Sequence, residues 1–536
     1  MASLVVHAPS FDGPFLSDDR YYIVANPAVR EPSPESLRAI LDPTSDLTLI
    51  VANWAPAHLL AHALQWQVFG ERVRGYHVSN VLVHAAASTL LVAVLAGAGI
   101  PPGAAALGGA FFLLHPANAE VVGWISQIKT LLAMAAMLVA LLLRGRRPWL
   151  GSVAFALALL SKALAAIALP VAAAMEWTRA GSGTQEEAGR RRLGYLAAWA
   201  GVFAVFAVVE FVAFRHANQD VGTLTADLAT RLCSSAAIAM RYLVMAATSL
   251  GVSAFHEPEP VTSPLDPWVL GALAAGALLG WRTLVTLRRR QEEAVWWIWA
   301  AGSFAPVAQV FPFIYPMADR YLYFILPGLI GGALLWGRAA GARLEPERRR
   351  AAGRAAALLA VGACLAFAVH SHARAGLWTS DGKLLLDTMK HYPEGPTAWY
   401  LRARRAAMEG DPQRAVEALR RATPDMRRGV EDLLSDDALA RLRGAPAFEA
   451  FLREIAGRAV VHLGRFERLT EANLIKLAQA HLVLGDAAAA RNALERALAM
   501  QGRYEPHIRS LLEQAEALER GRGAGAPRAA GPGPLR

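Results

Sequence analysis

Long apolar segments separated by short polar loops fill the chain from about residue 76 to residue 371. Segments of this length and composition are typical of membrane-spanning helices. The candidate spans lie near residues 77–98, 103–116, 119–143, 148–161, 163–178, 193–215, 268–287, 294–312, 320–337 and 353–371. One further apolar stretch, 232–250, is a candidate re-entrant segment. The pattern predicts an all-α, polytopic membrane domain over residues 76–371.

The chain before the first candidate span is more polar. Residues 10–53 contain many Pro and Asp residues, which favours a loop. Residues 54–69 mix apolar side chains with Pro and His, and we interpret them as an amphipathic or interfacial helix. Residues 1–75 are therefore predicted to form an outer acidic loop and an interfacial helix. Four histidines are expected at helix ends or at the membrane interface: His58, His62, His77 and His84.

Charged residues dominate after residue 371. Small residues at helical offsets, with Gly-Asp turns, predict paired helices that pack closely, as in tetratricopeptide (TPR) repeats. The pairs are predicted at residues 397–422, 436–452 and 472–500. We therefore predict a soluble, TPR-like helical-repeat domain over 372–519, with a plain helical bundle as the alternative. The Gly-, Pro-, Ala- and Arg-rich tail, 520–536, is predicted to be disordered.

The basic residues are concentrated in short loops between apolar segments. The 536 residues are 54% hydrophobic and carry a formal net charge of +10. The main basic loops lie at residues 144–147, 179–192, 288–290 and 348–350. This distribution follows the positive-inside rule of membrane proteins. A nucleic-acid partner is not expected, because it would require the basic residues to form one face.

The same rule predicts the sidedness of the protein in the inner (cytoplasmic) membrane. The basic loops are expected in the cytoplasm, and alternation places the opening loop and everything after residue 371 on the extracytoplasmic side. The alternation requires that 232–250 does not cross fully. Residues 1–9 are too few to cross a bilayer, so either the N-terminal tail is translocated unaided or a further span precedes residue 10, and we favour the further span.

Two adjacent carboxylates, Asp18 and Asp19, occupy the centre of the opening stretch SFDGPFLSDDRYYIVANP. Adjacent carboxylates in a loop beside a membrane domain indicate either acid–base chemistry or a solvated turn. Ser-Asp-Asp is ordinary turn composition. Local sequence alone leaves both interpretations open.

Several stretches resemble, in matching order, one family. They are SDDRYYIVANP at 17–27, GYHVSNVLVH at 75–84, FFLLHPANAEVVGWISQIKTLLA at 111–133, LALLSKALAAIALP at 157–170, TSLGVSAFHEPEP at 248–260 and MADRYLYFILPG at 317–328. They are similar to the transmembrane and tetratricopeptide-repeat proteins, the protein O-mannosyltransferase-like branch of the GT-C glycosyltransferases. Three positions depart from the family pattern: Ala55 replaces Arg, Ala163 replaces Glu, and Asp319 replaces Glu.

The resemblance implies transfer of a sugar, with mannose as one candidate, from a polyprenyl-phosphate carrier to a protein or glycan acceptor. It assigns Asp18 or Asp19 as the base that deprotonates the acceptor hydroxyl. Arg320 would bind the donor phosphate beside Tyr321; a snorkelling arginine in an aromatic belt is the alternative. Lys129 and Lys162 are further phosphate-binding candidates, because ionisable groups in apolar helices are costly. For both, an ordinary helix-end lysine is the alternative.

His115, Glu120 and Asp319 are the other site candidates. A divalent metal is left open as a cofactor, although the sequence lacks a typical metal-ligand spacing; no nucleotide cofactor is expected. The expected partners are the polyprenyl-phosphate-linked sugar, membrane lipid, and a protein acceptor bound by the TPR-like domain. Two other functions stay open: a non-catalytic membrane scaffold, and a transporter of lipid-linked sugars.

Overall fold

The computed structural model describes residues 1–51, 54–179, 186–217, 227–309, 315–423, 429–466, 469–500 and 505–521. Throughout these residues the regular secondary structure is helical. The chain divides into two compact units, Met1–Asp387 and Thr388–Arg536. The last helix of the apolar region, predicted to end at residue 371, continues to Ala375. The two units are described separately.

The first unit contains helices α1 to α17. Their bounds are α1 Ala2–His7, α2 Pro27–Arg30, α3 Pro34–Leu41, α4 Asp46–Val51, α5 Pro56–Phe69, α6 Val73–Gly97, α7 Pro102–Leu114, α8 Asn118–Gly123, α9 Ile128–Leu143, α10 Pro148–Ser161, α11 Ala168–Arg179, α12 Glu186–Ala217, α13 Leu228–Thr248, α14 Pro267–Arg288, α15 Glu293–Phe304, α16 Asp319–Gly341 and α17 Pro346–Ala375. α18, Asp381–His391, runs across the division between the units.

Six helical stretches in the described residues are long and apolar enough to cross a membrane. They are Val73–Gly97, Ile125–Leu143, Gly194–His216, Pro267–Arg288, Asp319–Gly341 and Pro346–Thr379. The stretch Ile125–Leu143 is 72% buried within the protein, against 11% for Pro346–Thr379. α9 is therefore a central helix of the bundle, whereas α17 exposes large apolar side chains between Leu358 and Val369. Exposed apolar faces of this kind are suited to lipid.

Several predicted spans are interrupted helices. The span predicted at 119–143 consists of α8, a 3₁₀ turn at Ile125–Gln127 and α9. The break leaves backbone carbonyls unpaired, and Asn80 Nδ2 donates to those of Val122, Trp124 and Ile125 at 3.3, 3.1 and 3.3 Å. In an apolar setting such groups must be paired within the protein. Asn80 therefore stabilises the break from which α9 starts.

Two further predicted spans are shorter than expected. Residues 163–167 form a 3₁₀ turn before α11, and α15 ends at Phe304 before another 3₁₀ turn containing Pro306. Proline lacks the N–H that would continue the helix. All but the last two residues of the candidate re-entrant segment, 232–250, lie in α13, which is continuous from Leu228 to Thr248 and has no internal turn.

The opening loop contains more helix than predicted. Asn26 accepts a hydrogen bond from the N–H of Ala28 and Ser33 from that of Ser36, so these residues cap α2 and α3. A proline occupies the first turn of each helix, where its missing N–H costs nothing. The Asn-Pro and Ser-Pro pairs were therefore helix starts, which the prediction of a loop at 10–53 overlooked.

The predicted interfacial helix forms as α5, but His58 and His62 are buried within it. His84 lies in the interior of α6, where its Nδ1 is 2.9 Å from the hydroxyl of Tyr323. His77 is also buried on α6. All four side chains are therefore packed inside the protein; His58 lies in the first turn of α5, as expected of a helix-end histidine, whereas His84 lies in the helix interior.

α15 and α16 pack against each other at very short range. Gly328 lies against the backbone of α15: a Cβ at this position would be 2.4 Å from the nitrogen of Ala300 and 2.7 Å from the oxygen of Trp296. Non-bonded atoms do not approach a Cβ this closely, so the contact between the two helices requires glycine at position 328. The packing places the first turn of α16, which carries Asp319 and Arg320, at one end of the bundle.

The second unit is a series of short helices. Their bounds are α19 Pro396–Met408, α20 Pro412–Ala422, α21 Val430–Ser435, α22 Pro446–Leu463, α23 Glu471–Leu484, α24 Ala487–Ala499 and α25 Glu505–Glu519. The predicted pairs at 397–422 and 472–500 are present, with Gly410 and Gly485 at φ +79° and +82° in their turns. The middle pair is a 3₁₀ turn, Leu439–Leu442, followed by α22. The predicted disordered tail lies almost entirely outside the described residues.

Candidate functional site

The two adjacent aspartates have different surroundings. Asp19 is 1% exposed and accepts hydrogen bonds from the N–H and hydroxyl of Ser126 and, at 3.0 Å, from the N–H of Leu16. Burial raises the pKa of the Asp19 carboxyl to about 7, against the opposing effect of these hydrogen bonds. Asp18 is only partly buried. Asp19 therefore fixes the opening loop to the start of α9, while Asp18 remains accessible.

Lys129 lies on the first turn of α9, close to the opening loop. Its Nζ donates to the hydroxyl of Tyr22 at 3.5 Å and lies 4.8 Å from the centre of that ring. Its charge interacts with those of Asp18 and Arg320. The Ser126–Asp19 contact and the Lys129–Tyr22 contact lie on the same stretch of chain, so one segment positions both groups.

Lys162 follows the last residue of α10 and reaches the same place. Its Nζ donates to Thr130 Oγ1 at 2.8 Å, and its charge interacts with those of Lys129, Arg320 and Glu120. We call Lys129, Lys162 and Arg320 the cation cluster. Neither lysine makes a salt bridge with a carboxylate in the described part of the chain.

Arg320 lies in the first turn of α16 and is tightly held. Glu120 on α8 accepts hydrogen bonds from both the backbone N–H of Arg320, at 2.6 Å, and its guanidinium. The guanidinium also lies 5.0 to 5.6 Å from the ring centres of Tyr315, Tyr321 and Trp124. An arginine fixed in this way presents its planar fork in one orientation. Glu120 is therefore a positioning residue for Arg320.

Asp319 is adjacent to Arg320 but belongs to a separate network. Its carboxylate lies 2.7 Å from His256 Nε2 and 3.5 Å from the guanidinium of Arg374, which also contacts Asp387 at 3.3 Å. His115 is buried, with its Nε2 3.3 Å from the carbonyl of Ala246. These contacts tie the segment after α13 to α16 and α17, away from the cation cluster.

The described residues contain no group of three or more His, Cys, Asp or Glu side chains that could hold a metal ion. His115 contacts a backbone carbonyl, Glu120 pairs with Arg320, and Asp19 bonds Ser126. Because His115, Glu120 and Asp19 each interact with a different partner, these side chains are not arranged to bind one divalent ion together.

Sequence analysis assigned no role to four residues around the cation cluster. Ser126 and Trp124 lie at the helix break, which the apolar pattern did not predict, and Tyr22 lies in the opening stretch near the two aspartates. His58 is coupled to both Lys129 and Lys162. The spacing of His58 and His62, four residues apart, placed them on one helix face and could have indicated a shared buried environment.

The described residues thus define a helical protein with six candidate membrane-spanning helices and a cation cluster at one end of its most buried span. Comparison with known proteins finds no family model, curated protein or solved structure that matches the chain. The site therefore has to be interpreted from its own chemistry.

Proposed function

We propose that the protein is an integral-membrane glycosyltransferase that moves a sugar from a polyprenyl-phosphate carrier to a protein or glycan acceptor. The observation that carries this proposal is the pair Lys129 and Lys162. Both are partly buried, both are coupled to Arg320, and neither has a carboxylate partner in the described residues. Holding a charged lysine beside apolar helices costs free energy, and an anionic ligand such as a phosphate would offset that cost.

In the proposed reaction, the acceptor hydroxyl attacks the anomeric carbon of the donor sugar. The bond between that carbon and the phosphate oxygen breaks, and its electron pair leaves with the polyprenyl phosphate. Asp18 takes the hydroxyl proton, because it is only partly buried and its charge interacts with Lys129 and with Tyr22. The cation cluster stabilises the charge that develops on the leaving phosphate. Asp19 holds the loop in place.

The finer assignment follows the resemblance of the motifs to the GT-C family, with mannose as the first sugar to test. Lys129 lies in the first turn of α9, and the basic loop at 144–147 follows the last residue of that helix. The cation cluster therefore lies at the end of α9 opposite the basic loop. By the positive-inside rule, that is the extracytoplasmic side of the inner membrane. The TPR-like helices of the second unit would then bind the acceptor protein there.

The experiment is transfer from synthetic polyprenyl-phosphate mannose by the purified, full-length protein, with acceptors identified by mass spectrometry. Asp18→Asn keeps the shape of the side chain and removes the base. Transfer should fall about 100- to 10,000-fold, the usual contribution of a general base. Asp12→Asn is the matched control, because Asp12 is an exposed carboxylate on the same loop. It should transfer at the normal rate.

Full transfer by Asp18→Asn would overturn the mechanism, and absence of transfer by the normal protein with any polyprenyl-phosphate sugar would overturn the function. A membrane scaffold is the second candidate, favoured by Ala163, which stands exposed beside Lys162 where the similar family has Glu. A scaffold predicts no functional change from Asp18→Asn. A transporter of lipid-linked sugars would keep its transport activity in the same variant.

A further inference from the structure

A buried histidine lies behind the cation cluster. His58 is on the first turn of α5 and is 1% exposed. Its ring packs edge-to-face against Tyr22, with centres 5.0 Å apart, and against His62, with centres 4.6 Å apart. Tyr22 is also the ring over which Lys129 lies. His58 is therefore one aromatic ring away from a lysine of the cluster.

One ring nitrogen of His58 has no partner. Nε2 is buried and makes no hydrogen bond with any residue that the structure describes. A buried polar nitrogen left unpaired costs about 1 to 3 kcal/mol. Native proteins seldom carry that cost unless another molecule completes the hydrogen bond. An unpaired nitrogen close to two lysines indicates that the missing partner is an acceptor that those lysines also bind.

His58 is neutral in this setting. Burial, together with the charges of His62, Lys129 and Lys162, holds its pKa well below the ordinary value. Tyr22, its other close neighbour, is an uncharged phenol whose own pKa is raised by burial. A neutral imidazole has one N–H donor and one acceptor nitrogen. It can donate a hydrogen bond to an anion without adding charge to the site.

We propose that His58 is a phosphate-binding residue that donates its imidazole N–H to an oxygen of the anion held by Lys129 and Lys162. The inference rests on the proposed function in taking polyprenyl phosphate as the natural anion. The lysines supply positive charge, and the hydrogen bond from His58 orients the anion, because the imidazole N–H has a fixed orientation in the packed ring. Free phosphate presents the same oxygens, so the test separates a lipid-linked from a free phosphate.

The experiment measures binding by calorimetry with the purified, full-length protein in detergent. The probes are a C15 prenyl monophosphate and, in a second arm, inorganic phosphate. His58→Phe keeps a packed ring without the donor and should weaken prenyl phosphate binding about 10- to 100-fold, the range for a hydrogen bond to a charged group. His58→Gln should recover part of the loss. His84→Phe is the matched control, because His84 is buried like His58 but both of its ring nitrogens have partners, the hydroxyl of Tyr323 and the carbonyl of Leu113.

A second measurement covers the case in which a variant does not fold. In the normal protein labelled with ¹⁵N-histidine, the nitrogens of one neutral imidazole should shift on addition of prenyl phosphate, and His58→Gln should identify the signal. Equal affinity of the normal protein and His58→Phe, no shift of the His58 signal, or no binding of either probe would each overturn the inference. Tight binding without sugar transfer would overturn the proposed function and leave His58 as a phosphate ligand.

Discussion

The buried carboxyl of Asp19 should make the stability of the protein fall as the pH rises from about 4 to about 7. In the folded state its pKa is raised from 3.8 to about 7. In that window the folded protein holds a proton that the unfolded chain has released, so stability decreases with pH. The stabilising contribution is complete below the unfolded pKa and is lost as the pH passes the folded pKa.

The expected size follows from the shift. A pKa raised from 3.8 to about 7, at about 1.4 kcal/mol per unit, corresponds to roughly 4 kcal/mol between the two ends of the window. No correction for solvent screening is needed, because Asp19 is 1% exposed. Asp19→Asn removes the titration but keeps the shape of the side chain. Its amide cannot accept all of the same hydrogen bonds, which lowers stability by an amount independent of pH.

The assay is the midpoint of thermal unfolding in detergent at a series of pH values. The difference between the normal protein and Asp19→Asn should shrink steadily toward neutral pH. Asp12→Asn, on the same loop with a side chain 76% exposed, should show the pH dependence of the normal protein. If Asp19→Asn follows the normal curve in parallel, or if the advantage of the normal protein grows with pH, the carboxyl is ionised when buried and the reasoning fails.

Three further results are expected. Glu120→Gln should destabilise the protein by about 3 to 5 kcal/mol, because Arg320 loses a buried partner; thermal unfolding checks this. Calorimetry should show weaker binding of prenyl phosphate, because the guanidinium is no longer held in one orientation. Gly328→Ala should lower the unfolding midpoint, whereas Gly337→Ala, where a Cβ meets nothing within 4 Å, should not. A reporter fused after Leu511 should be active only outside the cytoplasm, and cytoplasmic activity would contradict the sidedness.

Apolar periodicity predicted the helical class and most of the long helices, because length and hydropathy are properties of local sequence. It did not predict the breaks. The interruption before α9 depends on Asn80, which lies more than 40 residues away in the chain and pairs the exposed carbonyls. A polar residue within an apolar helix is visible in sequence, but the carbonyls that it will pair are not.

The sequence indicated which residues belong to the candidate site, but not which contacts they make. Motif order brought Asp18, Lys129, Lys162 and Arg320 together, and the structure places them in one electrostatic neighbourhood. Sequence could not separate Asp18 from Asp19, because adjacent residues differ only in which side of the turn they face. Nor could it separate Asp319 from Arg320, whose side chains enter different networks.

The contrast between the paired arginines and the two partly buried lysines is the strongest reason to assign Lys129 and Lys162 a ligand. Arg144, Arg282 and Arg374 each form an ion pair with a carboxylate. Lys129 and Lys162 instead donate to the hydroxyls of Tyr22 and Thr130. A buried charge without a partner of opposite sign is costly, and a hydroxyl offsets only part of that cost. An anion bound between the two lysines would supply the missing negative charge. If the lysines served only to stabilise the fold, we would expect a carboxylate of the protein to supply that charge already.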